Sequence, residues 1–176
     1  VVCPGSRSTP MALALDGDGR LRVHVHHDER SGAFLALGLG RATCRPAVVL
    51  TTSGTAAVEL HPAVVEADLD AVPLVVLTAD RPPEARDVGA AQTIDQTRLY
   101  GGAVRWFADP GPPSWPARSA WRSLASRAVA EADGARPGPV HVNLPFREPL
   151  VGRPGPLPPG RSGDRPWHLR VGSGGS

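Results

Sequence analysis

Two aliphatic runs, at residues 48–51 and 74–78, constrain the fold more than any other feature of this sequence. Each run is apolar or β-branched without interruption and leads into small polar residues. Such runs are typical of parallel strands that are covered by helices on both faces. Residues 22–26 and 139–144 are predicted to form further strands.

The segments between these strands have helical composition. Residues 53–69 are rich in Ala and Val, with Ser53 as a candidate N-cap and Pro62 expected to divide or kink the helix. A second long helix is predicted over residues 114–133. The alternation of strands and helices predicts an α/β fold, a three-layer sandwich with a mostly parallel central sheet.

The organisation along the chain predicts one domain followed by a linker. Residues 1–150 are enough for a sizeable core, and their start looks truncated because the first residue is Val1 and not Met. Residues 151–176 are rich in Pro and Gly and lack hydrophobic periodicity, which indicates a linker or tail.

Composition narrows the classes of function. The formal net charge of +2, with no basic block, argues against a nucleic-acid partner. No run approaches the roughly 20 apolar residues of a membrane span, and no signal peptide is recognisable, so we expect a cytoplasmic protein. Dinucleotide, P-loop and serine-hydrolase motifs are missing, and His24 and His26 lack further convergent ligands, so no metal site is predicted.

Five loops follow predicted strands and are candidates for a binding site. Parallel α/β sheets bind their ligands beyond the carboxyl ends of the strands, which meet at one edge. We therefore expect these loops to lie together. They are residues 4–8, 28–30, 51–55, 78–82 and 89–96.

Glu29 stands at the start of a segment that is otherwise built for burial. Residues 31–40 are apolar or small on every helical face, without the polar stripe of a surface helix. Two interpretations remain open from the residues alone. Asp28 and Glu29 complement the helix dipole, or one of them is held in an apolar pocket for a chemical purpose.

Two arginines belong to the candidate loops. In "PGSRSTP" (4–10), Ser6 or Ser8 can cap a helix, but a simple capped turn does not require Arg7, whose planar fork suits a carboxylate or phosphate. In "TADRPPE" (78–84), Arg81 follows a strand directly, and a salt-bridged strand end is the alternative explanation.

The motifs together resemble one family in order and spacing. Over about residues 1–150, the chain resembles the N-terminal, pyrimidine-binding domain of MenD-type enzymes. These thiamine-diphosphate-dependent transferases of menaquinone biosynthesis make 2-succinyl-5-enolpyruvyl-6-hydroxy-3-cyclohexene-1-carboxylate. A Glu before an apolar helix is compatible with any thiamine-diphosphate enzyme. The segments around Arg7 and Arg81 are the ones that resemble the MenD-type family in particular. The segments that carry it are "PGSRSTP", "DERSGAFLALGLGRA", "TTSGTAAVEL", "VPLVVLTADRPPE" and "GAAQTIDQT".

The resemblance implies a cofactor and a catalytic residue. In this superfamily a Glu at the position of Glu29 hydrogen-bonds N1′ of the aminopyrimidine ring. An apolar pocket favours the neutral form of its carboxyl group, which can then share its proton with this ring nitrogen. Mg²⁺ or Mn²⁺ is implied to be bound by a C-terminal domain that lies outside this chain. The implied cofactor contacts are Pro4, Gly5, Glu29, Ser53, Gly54 and Thr55.

The resemblance also implies substrates and a partner subunit. 2-Oxoglutarate and isochorismate are polyanions, and the implied substrate contacts are Ser6, Arg7, Arg81 and Gln92. The active site of the family lies between this domain and the diphosphate-binding domain of a second subunit. The full-length protein is therefore expected to be a homodimer or homotetramer, and the isolated chain is expected to be inactive.

Two positions depart from the family pattern and keep other functions open. Ala91 stands where Asn is usual, and Arg98 stands where a small residue is more usual. One alternative is another thiamine-diphosphate decarboxylase or acyl-transfer enzyme with a different acceptor. Another is a non-catalytic module with the same fold, although such a module has no need for Glu29 and Arg7.

Overall fold

The computed structural model describes residues 1–152, 155 and 159–168, and it contains a four-stranded sheet in which every pair of neighbouring strands is parallel. The strand order is β1-β2-β4-β3, which confirms the predicted α/β class with a parallel central sheet. β3 is a short edge strand that the sequence pattern did not predict. The strands are β1 Ala47–Thr51, β2 Leu74–Asp80, β3 Trp106–Ala108 and β4 Pro139–Pro145.

In the described part of the chain, five α-helices surround the sheet, and two of them come from one predicted helix. The predicted helix at 53–69 is divided next to Leu60, and Pro62 lies in the first turn of its second part, where a missing N–H costs nothing. The predicted helix at 114–133 begins later, at Arg118. The helices are α1 Thr9–Asp16, α2 Glu29–Thr43, α3 Thr55–Glu59, α4 His61–Leu69 and α5 Arg118–Ala132.

The two faces of the sheet bury separate cores, as a three-layer sandwich requires. On one face, α2 and α4 pack on β1 and β2 through residues such as Ala36, Val64 and Val76. On the other face, α5 packs on β2 and β4 through residues such as Ala128 and Val142. Side chains alternate between faces along each strand, so both faces of these strands must be apolar.

The strand predicted at residues 22–26 is wrong. Within this segment only Val25 forms a bridge, to Val2, which itself pairs with Leu50 of β1. Two backbone hydrogen bonds hold this bridge, from the Val2 N–H to the His24 carbonyl oxygen over 2.8 Å and from the His26 N–H to the Val2 carbonyl oxygen over 3.0 Å. The paired segment before Pro4 is too short to support a longer ladder.

The predicted serine caps are also wrong. Gly54, not Ser53, is the N-cap residue of α3. Ser8 is the N-cap residue of α1, but its hydroxyl donates to the Gly5 carbonyl oxygen over 3.0 Å and does not cap the helix. Both hydroxyls instead serve tertiary or turn contacts that local sequence cannot reveal.

The predicted linker at residues 151–176 lies partly outside the described residues, which omit 153, 154, 156–158 and 169–176. In its described part, Ser162–Asp164 forms a 3₁₀ turn, and the His168 N–H donates to Ser126 Oγ of α5 over 3.0 Å. Among the helices of the described residues, none has the length and apolar character needed to cross a bilayer.

Candidate functional site

The carboxyl edge of the sheet brings the predicted loops together. The loop at 4–8 meets the exit of β4, because Arg7 Nη1 donates to the Phe146 carbonyl oxygen over 2.9 Å. Gly5 packs on the loop after β1, where a Cβ on Gly5 would stand 2.5 Å from the Thr52 Cβ. The loop after β1 also contacts the loop after β2 through Ser53.

Ser53 joins two of the predicted substrate-binding residues. Its side chain is fully buried, and its hydroxyl accepts a hydrogen bond from Arg81 Nη1 and donates to the Gln92 carbonyl oxygen over 3.0 Å. Gln92 Nε2 in turn donates to the Ser53 carbonyl oxygen over 3.0 Å. Ser53 therefore holds Arg81 and Gln92 against the loop after β1.

Two guanidinium groups lie close enough to influence each other. Burial lowers the pKa of Arg81, and the positive charge of Arg7 lowers it further. Arg7 Nε is buried and has no hydrogen-bond partner among the described residues. Because guanidinium groups bind carboxylates and phosphates through paired N–H donors, this part of the edge can hold an anion.

A buried polar network lies directly beneath these loops. Gln96 Oε1 accepts the Gly54 N–H over 2.9 Å, while Gln96 Nε2 donates to Asn143 Oδ1 over 2.8 Å. Thr78 Oγ1 also donates to Asn143 Oδ1 over 2.9 Å and lies 2.8 Å from His141 Nε2. Since the Thr78 proton points to Asn143, His141 donates from Nε2, and burial lowers the pKa of His141 to about 4.

Sequence reasoning missed this network, although a signal for it exists. His141 and Asn143 are polar residues two positions apart in the otherwise apolar strand β4, so both face the same side of the sheet. Buried polar side chains need hydrogen-bond partners. The pair therefore predicts further polar residues on the neighbouring strand, where Thr78 is found opposite Asn143.

Asp80 is the last residue of β2, and its side chain has different partners from the side chain of its neighbour Arg81. Its side chain is only 1% exposed, and its carboxylate accepts from the Arg81 backbone N–H over 2.7 Å and from Asn143 Nδ2 over 2.8 Å. Arg86 Nη2 lies 2.8 Å from the same carboxylate. Burial raises the pKa of Asp80, and these contacts oppose the rise. The salt bridge at the end of β2 is therefore formed by Asp80 with Arg86, while the side chain of Arg81 contacts Ser53.

Glu29 is the first residue of α2 and lies half-buried near Cys3. Asp28 caps the helix, because its Oδ1 accepts the Ser31 N–H over 2.7 Å, and this contact lowers the pKa of Asp28. Burial and the nearby Glu29 carboxylate raise the pKa of Cys3 to about 11. Within the described part of the chain, the Glu29 carboxylate has no hydrogen-bond or ion-pair partner. The structure therefore places capping on Asp28 and leaves the Glu29 carboxylate available to a ligand.

The remaining predicted site residues surround these groups with little bulk. Pro4, Ser6 and Thr55 are exposed, and Gly54 is buried. Gly54 has a φ of +79°, and a Cβ there would stand 2.9 Å from Gln92 Cγ, so the close approach of the two loops depends on glycine.

The two departures from the family pattern both have exposed side chains. Ala91 precedes Gln92, which has a φ of +55°, so the backbone of this loop is held in a conformation that few non-glycine residues adopt. Arg98 has its guanidinium carbon 5.6 Å from the centre of the Phe107 ring, a cation–π contact on β3.

An apolar surface remains uncovered on the helices beside Glu29. α2 buries only one face, which contains Ala33, Ala36 and Leu37. Its outer face exposes two large apolar side chains, and α3 and α4 expose three more. We call this surface the α2–α4 face; it comprises Phe34, Leu35, Val58, Val65 and Leu69.

Metal-ligating residues do not converge in the described ranges, where no three His, Cys, Asp or Glu side chains form a cluster that could hold an ion. His24 and His26 are half-buried. His26 Nδ1 lies 3.2 Å from the Asp28 carbonyl oxygen, so this ring belongs to the turn that leads into α2.

Residues 1–99 match the family model described as thiamine pyrophosphate enzyme, N-terminal TPP binding domain. The match covers more than half of the 176 residues. The chain belongs to this family. The resemblance predicted from the five sequence segments is thereby confirmed at the level of the cofactor-binding domain, and the parallel sheet agrees with it.

Curated relatives carry a more specific name, 2-succinyl-5-enolpyruvyl-6-hydroxy-3-cyclohexene-1-carboxylate synthase. The relative from Thermobifida fusca is 59% identical over 160 residues, which cover 90% of this chain and 29% of the relative. The relative from Halobacterium salinarum is 55% identical over 94% of this chain and 29% of its own length. The relative from Chloroflexus aurantiacus is 60% identical over 86% of this chain and 26% of its own length. The chain thus spans less than a third of these relatives.

Proposed function

We propose that this chain is the pyrimidine-binding part of a thiamine-diphosphate-dependent synthase of menaquinone biosynthesis. The full-length protein decarboxylates 2-oxoglutarate and adds the remaining succinyl-semialdehyde unit to isochorismate. The observation that carries the proposal is the pair of arginines held at one sheet edge, Arg7 by the Phe146 carbonyl oxygen and Arg81 by Ser53; the parallel bridges of Val2 bring the segment before Glu29 to the same edge. The shared name of the curated relatives supports it.

Thiamine diphosphate fits the residues at this edge. When bound, the cofactor supplies a nucleophilic carbon and an electron sink for the decarboxylation of a 2-oxo acid. The Glu29 carboxylate can bind N1′ of the pyrimidine, because no described residue of the chain forms a hydrogen bond or ion pair with it. Gly5 and Gly54 let the loops at this edge approach each other closely, because a Cβ would stand 2.5 Å from Thr52 Cβ at Gly5 and 2.9 Å from Gln92 Cγ at Gly54. The proposed cofactor contacts remain Pro4, Gly5, Glu29, Ser53, Gly54 and Thr55.

A second subunit completes the cofactor pocket in this proposal. Glu29 is only half-buried here, whereas a carboxyl group that shares a proton with a ring nitrogen needs an apolar, water-poor environment. The α2–α4 face exposes five large apolar side chains, two of them on the helix that Glu29 begins, and exposed apolar surface of this kind marks protein contacts. The diphosphate-binding domain of a partner subunit would cover it in a homodimer or homotetramer and would bring the bound Mg²⁺ or Mn²⁺. Residues 151–176 would lead towards a central domain, and the isolated chain would be inactive.

The substrate side of the site uses positive charge and hydrogen bonding. 2-Oxoglutarate and isochorismate each carry two carboxylates, and an arginine fork binds a carboxylate through two parallel N–H donors. Arg7 and Arg81 are placed for this role, with Arg81 oriented by Ser53. Gln92 and the exposed Ser6 supply further hydrogen-bonding groups at the same edge.

A second candidate function is favoured by one observation, the exposed Ala91 beside Gln92. The alanine lacks the side-chain amide usual for the family at this position, and with it a contact to the substrate or the intermediate. A thiamine-diphosphate enzyme that uses the same 2-oxo acid with another acceptor would tolerate this loss.

The experiment that tests the proposal measures carbon dioxide release by the full-length protein with thiamine diphosphate, Mg²⁺ and 2-oxoglutarate. We expect release to depend on isochorismate and to be lost both in the Glu29→Gln variant and in the isolated 176-residue chain. Release that requires a different acceptor would favour the second candidate. No release with any acceptor, by a folded protein that binds the cofactor, would refute both.

A further inference from the structure

A carboxylate of the chain itself lies on the proposed substrate arginines. Glu148 follows β4, and its Oε1 stands 3.2 Å from Arg7 Nη2. Glu148 also belongs to the charges that act on Arg81, where its effect opposes those of burial and of Arg7. The carboxylate of Glu148 therefore pairs with Arg7 and lies within electrostatic reach of Arg81.

The two partners of this ion pair differ in exposure and in the number of their other contacts. The Arg7 side chain is 14% exposed, and its Nη1 is tied to the Phe146 carbonyl oxygen over 2.9 Å. The Glu148 side chain is 68% exposed and makes no other hydrogen bond or ion pair among the described residues. Exposed ion pairs are weak and readily exchanged, so Glu148 can swing into solvent while Arg7 stays in place.

A substrate carboxylate has the same chemistry as the Glu148 carboxylate. Both are planar anions that accept N–H donors from a guanidinium group, and Arg7 cannot offer Nη2 to both in the same geometry. With Glu148 in place, the formal charge of Arg7, Arg81 and Glu148 together is +1. When a ligand anion displaces the Glu148 carboxylate, Arg7 remains paired with an anion. A neutral ligand group would leave Arg7 without an ion pair.

We propose that Glu148 is a specificity-determining residue that occupies the place of a substrate carboxylate on Arg7 and is displaced when an anionic ligand binds. This inference rests on the proposed function, because that function assigns Arg7 to the substrate side. Glu148 thereby lowers the affinity for any anion that docks on Arg7, and it excludes ligands that bring no carboxylate to Arg7. Glu148 selects among ligands because only an anion can displace it from Arg7, and it takes no part in bond formation.

The test uses the full-length protein in a Glu29→Gln background, in which substrates bind but are not expected to turn over. Calorimetric titration gives Kd for 2-oxoglutarate, isochorismate and succinate, with and without the added Glu148→Gln change. Succinate is a dicarboxylate that neither proposed reaction step consumes. The matched control is Glu84→Gln, which removes another exposed carboxylate, one that pairs with Arg147 and not with Arg7.

We expect Glu148→Gln to tighten binding of the anion that docks on Arg7 by about threefold to tenfold at low ionic strength, and less at high salt. Glu84→Gln should leave Kd unchanged. If affinity is unchanged, or falls because Glu148 in fact orients Arg7, the inference is overturned. If succinate binds more tightly in Glu148→Gln while 2-oxoglutarate and isochorismate do not bind at all, the inference stands and the proposed function fails.

Discussion

Replacing Ser53 with alanine should separate substrate binding from the chemical step. The change removes a hydroxyl that accepts from Arg81 and donates to Gln92 over 3.0 Å. A hydrogen bond to a charged group contributes about 1.5–3 kcal/mol, and the partial exposure of Arg81 places the loss near the lower end. About 2 kcal/mol corresponds to a roughly 30-fold loss of affinity. We therefore expect KM for an anionic substrate to rise about 30-fold in Ser53→Ala full-length protein, with a smaller effect on kcat.

The control for this prediction is Ser126→Ala. Ser126 Oγ also makes two hydrogen bonds, to the His168 N–H and the His168 carbonyl oxygen, but it lies on α5, away from the sheet edge that carries the site. Steady-state kinetics and thermal unfolding are measured on both variants. If both variants lose similar stability and neither changes KM, Ser53 is only a packing residue and the account of Arg81 positioning is refuted.

Three further predictions concern stability and are checked by urea unfolding. Gly54→Ala should cost about 1–3 kcal/mol because of its positive φ and the contact with the neighbouring loop, whereas Gly38→Ala, in open space on α2, should be neutral or stabilising; equal effects would contradict this. Gln96→Leu should cost about 2–4 kcal/mol, since it removes the acceptor of the buried Gly54 N–H and the donor to the Ala79 carbonyl oxygen and Asn143 Oδ1, and a loss below about 1 kcal/mol would show that the network relaxes. His141 has its pKa lowered from 6.5 to about 4, so its contribution is complete above the unfolded pKa and is lost as pH falls through this window. About 2 kcal/mol should disappear between pH 6.5 and about pH 5, and a His141→Gln variant that keeps the same pH slope would refute the assignment.

The arrangement of the site edge could be predicted from sequence because it follows from strand direction alone. Parallel strands place their carboxyl ends together, so the loops after β1 and β2 had to be neighbours once the two aliphatic runs were recognised. The division of the helix at 53–69 followed from Pro62. These features depend on local chemistry and on one topological rule.

The partners of individual side chains could not be predicted, because they depend on contacts between distant segments. Ser53 was expected to cap a helix, but its hydroxyl meets Gln92, 39 positions along the chain. Glu148 was not recognised as a site residue, because it pairs with Arg7, a residue near the opposite end of the domain in sequence. β3 escaped prediction because Trp106–Ala108 is a three-residue edge strand whose pairing with β4 no periodicity can indicate.

The central claim is that Glu29 activates bound thiamine diphosphate, and the most direct test is hydrogen–deuterium exchange at C2 of the cofactor. The rate is measured by NMR on full-length protein saturated with thiamine diphosphate and Mg²⁺, for the wild type and for Glu29→Gln. Because no described residue hydrogen-bonds the Glu29 carboxylate, the two proteins should unfold at the same temperature when no cofactor is bound. We predict exchange at least about a hundredfold slower in Glu29→Gln. Equal rates in two folded, cofactor-bound proteins would contradict the account.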